Sequence, residues 1–243
     1  MERIEYLQMA ALEADFWWYR ALHAVVAQRL SDLHLPEHTK VLDAGCGTGG
    51  LLHYLQHNTA ASAFSLSGIE WDANAATMAQ TKTDLAITRG DINQLPYCNE
   101  SFEVILSQDV LYHQHVHEIS ALNEFHRCLT TGGHILLSLP AYKWMSSSHD
   151  VHVHGARRYT KNDCRELLES NGFHCHQVGY WNSLLFPLMA LQRLTVGKFK
   201  QESDVKVLPY WQNTLFFTVL DLERKLRLKL PFRGSVWAWG IKK

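Results

Sequence analysis

The run Val41-Leu42-Asp43-Ala44-Gly45-Cys46-Gly47-Thr48-Gly49-Gly50 constrains this chain more than any other feature, because a short apolar strand there breaks into a glycine-rich turn. Glycine accepts positive φ and carries no side chain, so backbone in such a turn can approach a ligand closely. A helix over residues 48–57 should follow, its N-terminus opening onto that ligand. The glycines alone leave two patterns open: Gly45, Gly47 and Gly50 fit G-x-G-x-x-G, whereas Gly45, Gly47 and Gly49 fit G-x-G-x-G. Asp43 favours a cationic ligand over a diphosphate. A carboxylate two residues before the first glycine repels a pyrophosphate and attracts an ammonium or a sulfonium.

Ser67-Gly68-Ile69-Glu70-Trp71-Asp72 reads as a second strand ending in an acid, where a Rossmann-type fold places a ribose-binding carboxylate. Glu70 can accept from both ribose hydroxyls, and Trp71 can offer a flat apolar face to adenine. A third element over residues 85–88 leads into Arg89-Gly90-Asp91-Ile92, where Asp91 can accept from the adenine amino group. Residues 95–105 give a turn and a fourth strand. On these segments residues 38–140 resemble the class I S-adenosylmethionine-dependent methyltransferases. The resemblance is carried by the loop over residues 43–49, Glu70, Gly90-Asp91, Leu95-Pro96 with Ser101-Phe102-Glu103, and Arg127-Cys128-Leu129-Thr130-Thr131-Gly132-Gly133-His134 just before the fifth strand. It implies S-adenosylmethionine as cofactor, bound by Asp43, Gly45, Gly47, Gly49, Glu70, Trp71, Asp91, Ile92 and Gln108.

Strands and helices alternate over residues 40–140, which predicts an α/β fold: a Rossmann-like, mostly parallel sheet with helices on both faces. A helix over 162–170 closed by Asn171-Gly172, a sixth strand over 173–180 and a seventh over 235–241 complete seven strands. The resemblance implies that the last two pair antiparallel. About fifty residues separate them, far more than a hairpin needs. The expected organisation is one methyltransferase domain over 1–243: a helical cap over 1–35, core sheet over 38–181 and 235–243, and a helical insertion over 182–234. The insertion holds apolar segments at 184–194 and 215–230.

Net charge is −1, so no global field points to nucleic acid. The Asn/Asp-Pro-Pro-Tyr/Phe motif of many base methyltransferases is absent after the fourth strand, where Ser107-Gln108-Asp109-Val110 stands. Five cysteines without C-x-x-C spacing favour reduced thiols in a cytoplasm. The acids Glu2, Glu5, Glu13 and Asp15 argue against a signal peptide, and no uncharged apolar run reaches membrane-spanning length.

Ligands of open parallel sheets sit outside the carboxyl ends of the strands, so Asp109-Val110-Leu111-Tyr112-His113 and the stretch after the fifth strand should border the methyl donor. A small-molecule acceptor is expected there, a natural-product, sugar or lipid-linked intermediate. Candidate acceptor-side and catalytic residues are Asp109, Tyr112, His113, His149, His154, Arg157 and Tyr159. His113 suits a general base, its ordinary pKa lying near ~6.5; equally, it can cap or pack the next helix. Two readings compete for Arg157 and Arg158: a bidentate clamp on an anionic acceptor, or pins for the loop that pair with local carboxylates. The Val-Leu-Tyr-His and His-Asp…Arg-Arg-Tyr-Thr segments resemble those of a bacterial subgroup of the family. His149, His152 and His154 lie close in sequence, as do His113, His115 and His117, but their spacing matches no metal signature and no metal is expected.

Phe16-Trp17-Trp18-Tyr19 can form a lid over the acceptor or pack as core. Leu215, Val219, Leu222, Leu226 and Leu230 make a helical stripe beside Arg224, Lys225, Arg227 and Lys229, which fits a packed surface helix or peripheral contact with an anionic membrane. A nicotinamide-dependent oxidoreductase and a non-catalytic binder of S-adenosylmethionine are the alternative functions; Asp43 argues against the first. The sequence sets no oligomeric state.

Overall fold

A computed structural model describes residues 3–57, 61–145, 154–195, 208–227 and 234–243. Two helices, α1 (Arg3–Leu12) and α2 (Trp17–Asp32), precede β1 (Lys40–Ala44), α3 (Gly50–His57), β2 (Ser65–Glu70), α4 (Ala73–Thr83), β3 (Ala86–Arg89) and β4 (Phe102–Gln108). There follow α5 (Glu118–Cys128), β5 (Leu129–Pro140), a short 3-10 turn, α6 (Lys161–Glu169), β6 (Phe173–Trp181), α7 (Phe186–Thr195), α8 (Tyr210–Lys225) and β7 (Ser235–Lys242). The strands form one sheet in the order β3-β2-β1-β4-β5-β7-β6. β1 to β5 pair in parallel, and β7 runs antiparallel to both β5 and β6. This is the expected seven-stranded α/β sheet. The reversal of order on either side of β1 opens a crevice at the carboxyl ends of β1 and β4, where doubly wound sheets bind ligands.

Side-chain alternation along the central strands divides the core between the two faces. Leu42, Ile105, Ile135 and Leu137 join Leu122, Phe125, Leu168 and Phe173 on one side. Val41, Val104, Leu106 and Leu136 join Leu22, Leu30, Leu52 and Leu55 on the other. Local chemistry fixes the helix ends. The Asp72 carboxylate caps α4 by accepting from Asn74 N and Ala75 N, and α6 opens with a reciprocal capping box between Thr160 and Asp163.

Some boundaries differ from expectation for physical reasons. α3 begins at Gly50 rather than residue 48, because Gly49 sits at φ +85°, outside helical conformation. α8 begins earlier than expected, directly after Pro209, whose ring presets the entry and whose missing N–H costs a helix start nothing. It packs on α2, where Arg20 lies 3.9 Å over the Phe217 ring and Trp17 meets Phe216 edge-on. Tyr210, Trp211, Leu215, Leu222 and Leu226 remain exposed. The cations expected to face an anionic bilayer are each paired: Arg224 and Lys225 with Asp221, and Arg227 with Asp32. Lys229 and Leu230 lie outside the described residues. Among those described, no helix is long and apolar enough to cross a membrane.

Candidate active site

The β1 turn builds one wall of a cavity of about 710 Å3. Gly45 N and Cys46 N both donate to Ile69 O, which folds the turn over the end of β2. At φ +88° Gly45 adopts a backbone that only glycine takes readily, and a Cβ there would lie 2.5 Å from Val110. Gly47 N donates to Glu70 Oε2 at 2.9 Å, so the carboxylate ending β2 is tied to the turn ending β1. Asp43 sits beneath, 2% exposed, and no described group donates to its carboxyl. Burial, then the charge of Glu70, pushes its pKa up to about 7. A buried carboxyl without a hydrogen-bond donor costs free energy unless a ligand supplies a cation.

The sequence-expected cofactor residues converge on this cavity with one exception. Asp43, Gly45, Gly47, Glu70, Trp71, Asp91, Ile92 and Gln108 all line it. Gly49 does not. Its missing Cβ makes room for Ala79 of α4, whose Cα would be 2.9 Å away, so Gly49 serves helix packing. Asp91 Oδ1 accepts from Asn93 N and Nδ2, and Asn93 in turn bonds His115 O and His117 N. The loop after β3 is thereby joined to the segment after β4. Gln108 Nε2 donates to Leu136 O of β5.

On the acceptor side the expected residues separate. Tyr112, His113 and His154 line the cavity, with Asp109 beside them. Tyr112 and His113 stack at 4.4 Å, and main-chain bonds from Gln114 N to His154 O and from Ala156 N to Tyr112 O hold the two segments together. Arg157 and Tyr159 are not among the described residues that line the cavity. One guanidinium nitrogen of Arg157, Nη2, donates to the carbonyls of Leu111, His113 and Val116 at 2.8, 2.7 and 2.6 Å, and its Nε lies 3.4 Å from Glu118. The Tyr159 hydroxyl is buried and donates to Glu118 Oε1. The geometry of Arg157 is that of a pin, but its hydrogen bonds go to the part-buried carbonyls of a turn that makes no helix rather than to the carboxylates expected, of which only Glu118 is near. Arg158 donates to Ala141 O and also stays off the cavity wall. His149 and His152 lie outside the described residues. Among the described residues no three His, Cys, Asp or Glu side chains converge in a metal-binding cluster.

The N-terminal helices close the cavity more completely than the aromatic run foretold. Trp18 and Tyr19 line it, while Phe16 is core and Trp18 also stacks on Trp181 at 4.8 Å. α1 adds Glu5, Tyr6 and Met9 to the wall, and Glu13 joins them from the turn that follows it. The Tyr6 hydroxyl donates to Glu70 Oε1 at 3.0 Å, Met9 lies against Gly47, and Glu13 accepts from Thr48 Oγ1 and pairs with Lys82. These contacts escaped the sequence reading. Their signal was present in the spacing of Tyr6, Met9 and Glu13, which three- and four-residue steps place on one helix face. Across the cavity, carboxyl groups dominate: Glu5, Glu13, Asp43, Glu70, Asp72, Asp91 and Asp109 line it, with no Lys or Arg among the described lining residues.

The comparisons agree with this architecture. Residues 41–133 match the Methyltransferase domain family. A methyltransferase of Encephalitozoon cuniculi is 29% identical over 55% of this chain and 59% of its own length. The phthiotriol/phenolphthiotriol dimycocerosates methyltransferase of Mycobacterium leprae is 31% identical over 40% of this chain and 36% of its own length. The chain thus spans between about a third and three-fifths of these curated relatives. The fold extends further: the methyltransferase solved in complex with the Haloferax volcanii Trm112 methyltransferase activator has a TM-score of 0.65 at 20% identity, covering 99% of both chains. The glycine turn, the acid ending β2 and β4 all fall within residues 41–133, so this chain carries a methyltransferase domain on a seven-stranded methyltransferase-type sheet.

Proposed function

We propose that this chain transfers the methyl group of S-adenosylmethionine to a small-molecule acceptor enclosed between the β4 end and the N-terminal helices. The observation that carries the reading is the buried Asp43 carboxyl, which no described group bonds, on the floor of the glycine-turn cavity. In this reading Asp43 holds the ammonium of the cofactor's methionine part, Glu70 the ribose hydroxyls, and Asp91 and Ile92 the adenine, with Trp71 at the rim. When bound, the cofactor supplies a methyl group on a sulfonium already primed to leave. The protein's work is then positioning and exclusion of water. Tyr112 and His113 present the acceptor, and His113 can take a proton from it once the two are within hydrogen-bond reach.

Methyl-labelled S-adenosylmethionine incubated with the protein and a fractionated extract of its own source tests this. Label should appear in one small-molecule pool and disappear with Asp43→Asn. Label only in macromolecules, or no label despite cofactor binding, refutes the small-molecule reading; the second result supports a non-catalytic binder.

The Tyr6–Glu70 bond yields a separate expectation. The Tyr6 hydroxyl takes a lone pair of the carboxylate that the ribose would use, so it competes with the cofactor. Tyr6→Phe should tighten S-adenosylhomocysteine binding about threefold, within the ~0.5–1.5 kcal/mol of one hydrogen bond. Glu70→Ala should weaken it at least about tenfold, because both the ligand contact and the Gly47 N–H anchor go. Titration calorimetry distinguishes the two directions.

A further inference from the structure

We infer that the acceptor is an amine, admitted as its ammonium form into the part of the cavity between Asp109 and Glu5. The inference rests on the methyltransferase reading above and names the acceptor class for that site. With Asp43, Glu70 and Asp91 assigned to the cofactor, Asp72 capping α4 and Glu13 paired with Lys82, Asp109 and Glu5 are the other two described lining carboxyl groups, and Tyr19 lies within electrostatic reach of both. The Asp109 carboxyl accepts no hydrogen bond from any described residue, although its N–H is fixed to Ser138 O. Arg158 acts on it electrostatically but is not on the wall. Trp18, Tyr19 and Tyr112 add aromatic surface to the same cavity, and carboxyl groups with aromatic rings are the combination that favours an organic cation. Among the described residues the lining histidines are His23, His113, His115 and His154, and burial holds His23 neutral by pushing its pKa down to about 4.

Charge decides between acceptor classes. An anionic acceptor would enter beside two carboxyl groups with no Lys or Arg on the described wall, and Arg157 is committed to backbone carbonyls. Like charges brought together in such a site repel one another and disfavour binding. A hydroxyl acceptor gains nothing from the Asp109 carboxylate, whereas an ammonium gains from it. The chemistry also closes. The ammonium gives one proton to the Asp109 carboxylate or to His113; the freed nitrogen lone pair forms the new N–C bond as the S–C bond breaks; that bonding pair goes to sulfur, leaving the neutral thioether. The methylated nitrogen carries the positive charge away, and the proton leaves to water. Burial raises the Asp109 pKa to about 7 against the opposing charge of Arg158, a value that suits proton acceptance at neutral pH.

The test uses three probes of one shape, 2-phenylethylamine, 2-phenylethanol and 3-phenylpropionate, titrated into full-length protein loaded with S-adenosylhomocysteine. The amine should bind at least about tenfold more tightly than the alcohol or the acid, a difference of ~1.4 kcal/mol. Asp109→Asn should reduce that preference about fivefold or more. Asn suits the position because Asp109 sits at φ +53°, a conformation Asn tolerates, and a retained melting temperature shows that the fold is kept. Equal or tighter binding of the alcohol or acid, no binding of any probe below 10 mM, or an O- or C-methylated product from the extract assay overturns the inference. If S-adenosylhomocysteine itself fails to bind, the methyltransferase reading falls first and the inference with it. If it binds and the amine shows no preference, only the acceptor class is wrong.

Discussion

Asp43→Asn should abolish cofactor binding and at the same time make the protein more stable above neutral pH. The binding effect follows from the proposed role: the carboxyl is 2% exposed and lines the cavity, where the proposed function has it neutralise an ammonium. Truncating one partner of a buried charge pair costs ~2–5 kcal/mol, so S-adenosylhomocysteine should weaken by at least about a hundredfold. The stability effect has the opposite sign. In the unfolded chain Asp43 ionises near its ordinary pKa of 3.8; in the folded protein burial and Glu70 raise this to about 7. Between those values the folded state holds a proton that the unfolded state has lost, so stability falls as pH rises.

A shift of that size corresponds to an upper bound of ~4 kcal/mol at pH 8, and coupling to Glu70 makes ~2–3 kcal/mol the better expectation. Asn carries no such penalty. Urea unfolding of the two proteins should therefore coincide near pH 4 and separate progressively to pH 8, with the variant more stable. For a chain of this size, ~2–3 kcal/mol is roughly 4–12 °C in melting temperature. A variant that is equally stable or less stable at pH 8 would show that Asp43 is already neutralised within the free protein. The same linkage makes cofactor binding release protons below pH 7, since a bound cation draws the Asp43 pKa down.

Much of this was legible in the sequence where one residue type answers one physical demand. The Val41-to-Gly50 run specified a strand, a turn with positive φ and the wall of a cavity, and the acid ending β2 landed on the same cavity. Glycine is needed at several points of that turn for different reasons, and only tertiary structure separates them. Gly45 lies on the wall, whereas Gly49 accommodates Ala79 of α4, a residue thirty positions away. The two functions leave the same letter in the sequence. Arginine behaves likewise. Nothing local tells whether Arg157 meets an anion or backbone carbonyls, because the carbonyls it satisfies belong to a turn forty-odd residues earlier. The role of α1 was missed because no motif marks it: Tyr6, Met9 and Glu13 acquire meaning only when the helix crosses the glycine turn.

The commitment of Arg157 to those carbonyls gives the second large effect. Arg157→Ala leaves the Leu111, His113 and Val116 carbonyls and Glu118 without their shared cation. Losing a charged donor to several half-buried acceptors costs about 3 kcal/mol, roughly 6–12 °C in melting temperature for a chain of this size. Activity should fall too, because the pinned turn carries Tyr112 and His113 into the cavity. The informative comparison is Arg157→Lys. All three carbonyls converge on the single nitrogen Nη2, so an ammonium with three donors can replace it in part. A bidentate clamp on a carboxylate or phosphate, in contrast, needs the planar fork that lysine lacks. Lysine should therefore recover more than half of the lost melting temperature and of the lost kcat/KM together, with KM for the acceptor close to that of the parent protein. An Ala variant that melts normally but shows a KM raised tenfold or more, unrelieved by Lys, would return Arg157 to the acceptor site and make that acceptor an anion. The pair of variants thus bears on the pin directly and on the charge of the acceptor independently of any amine probe.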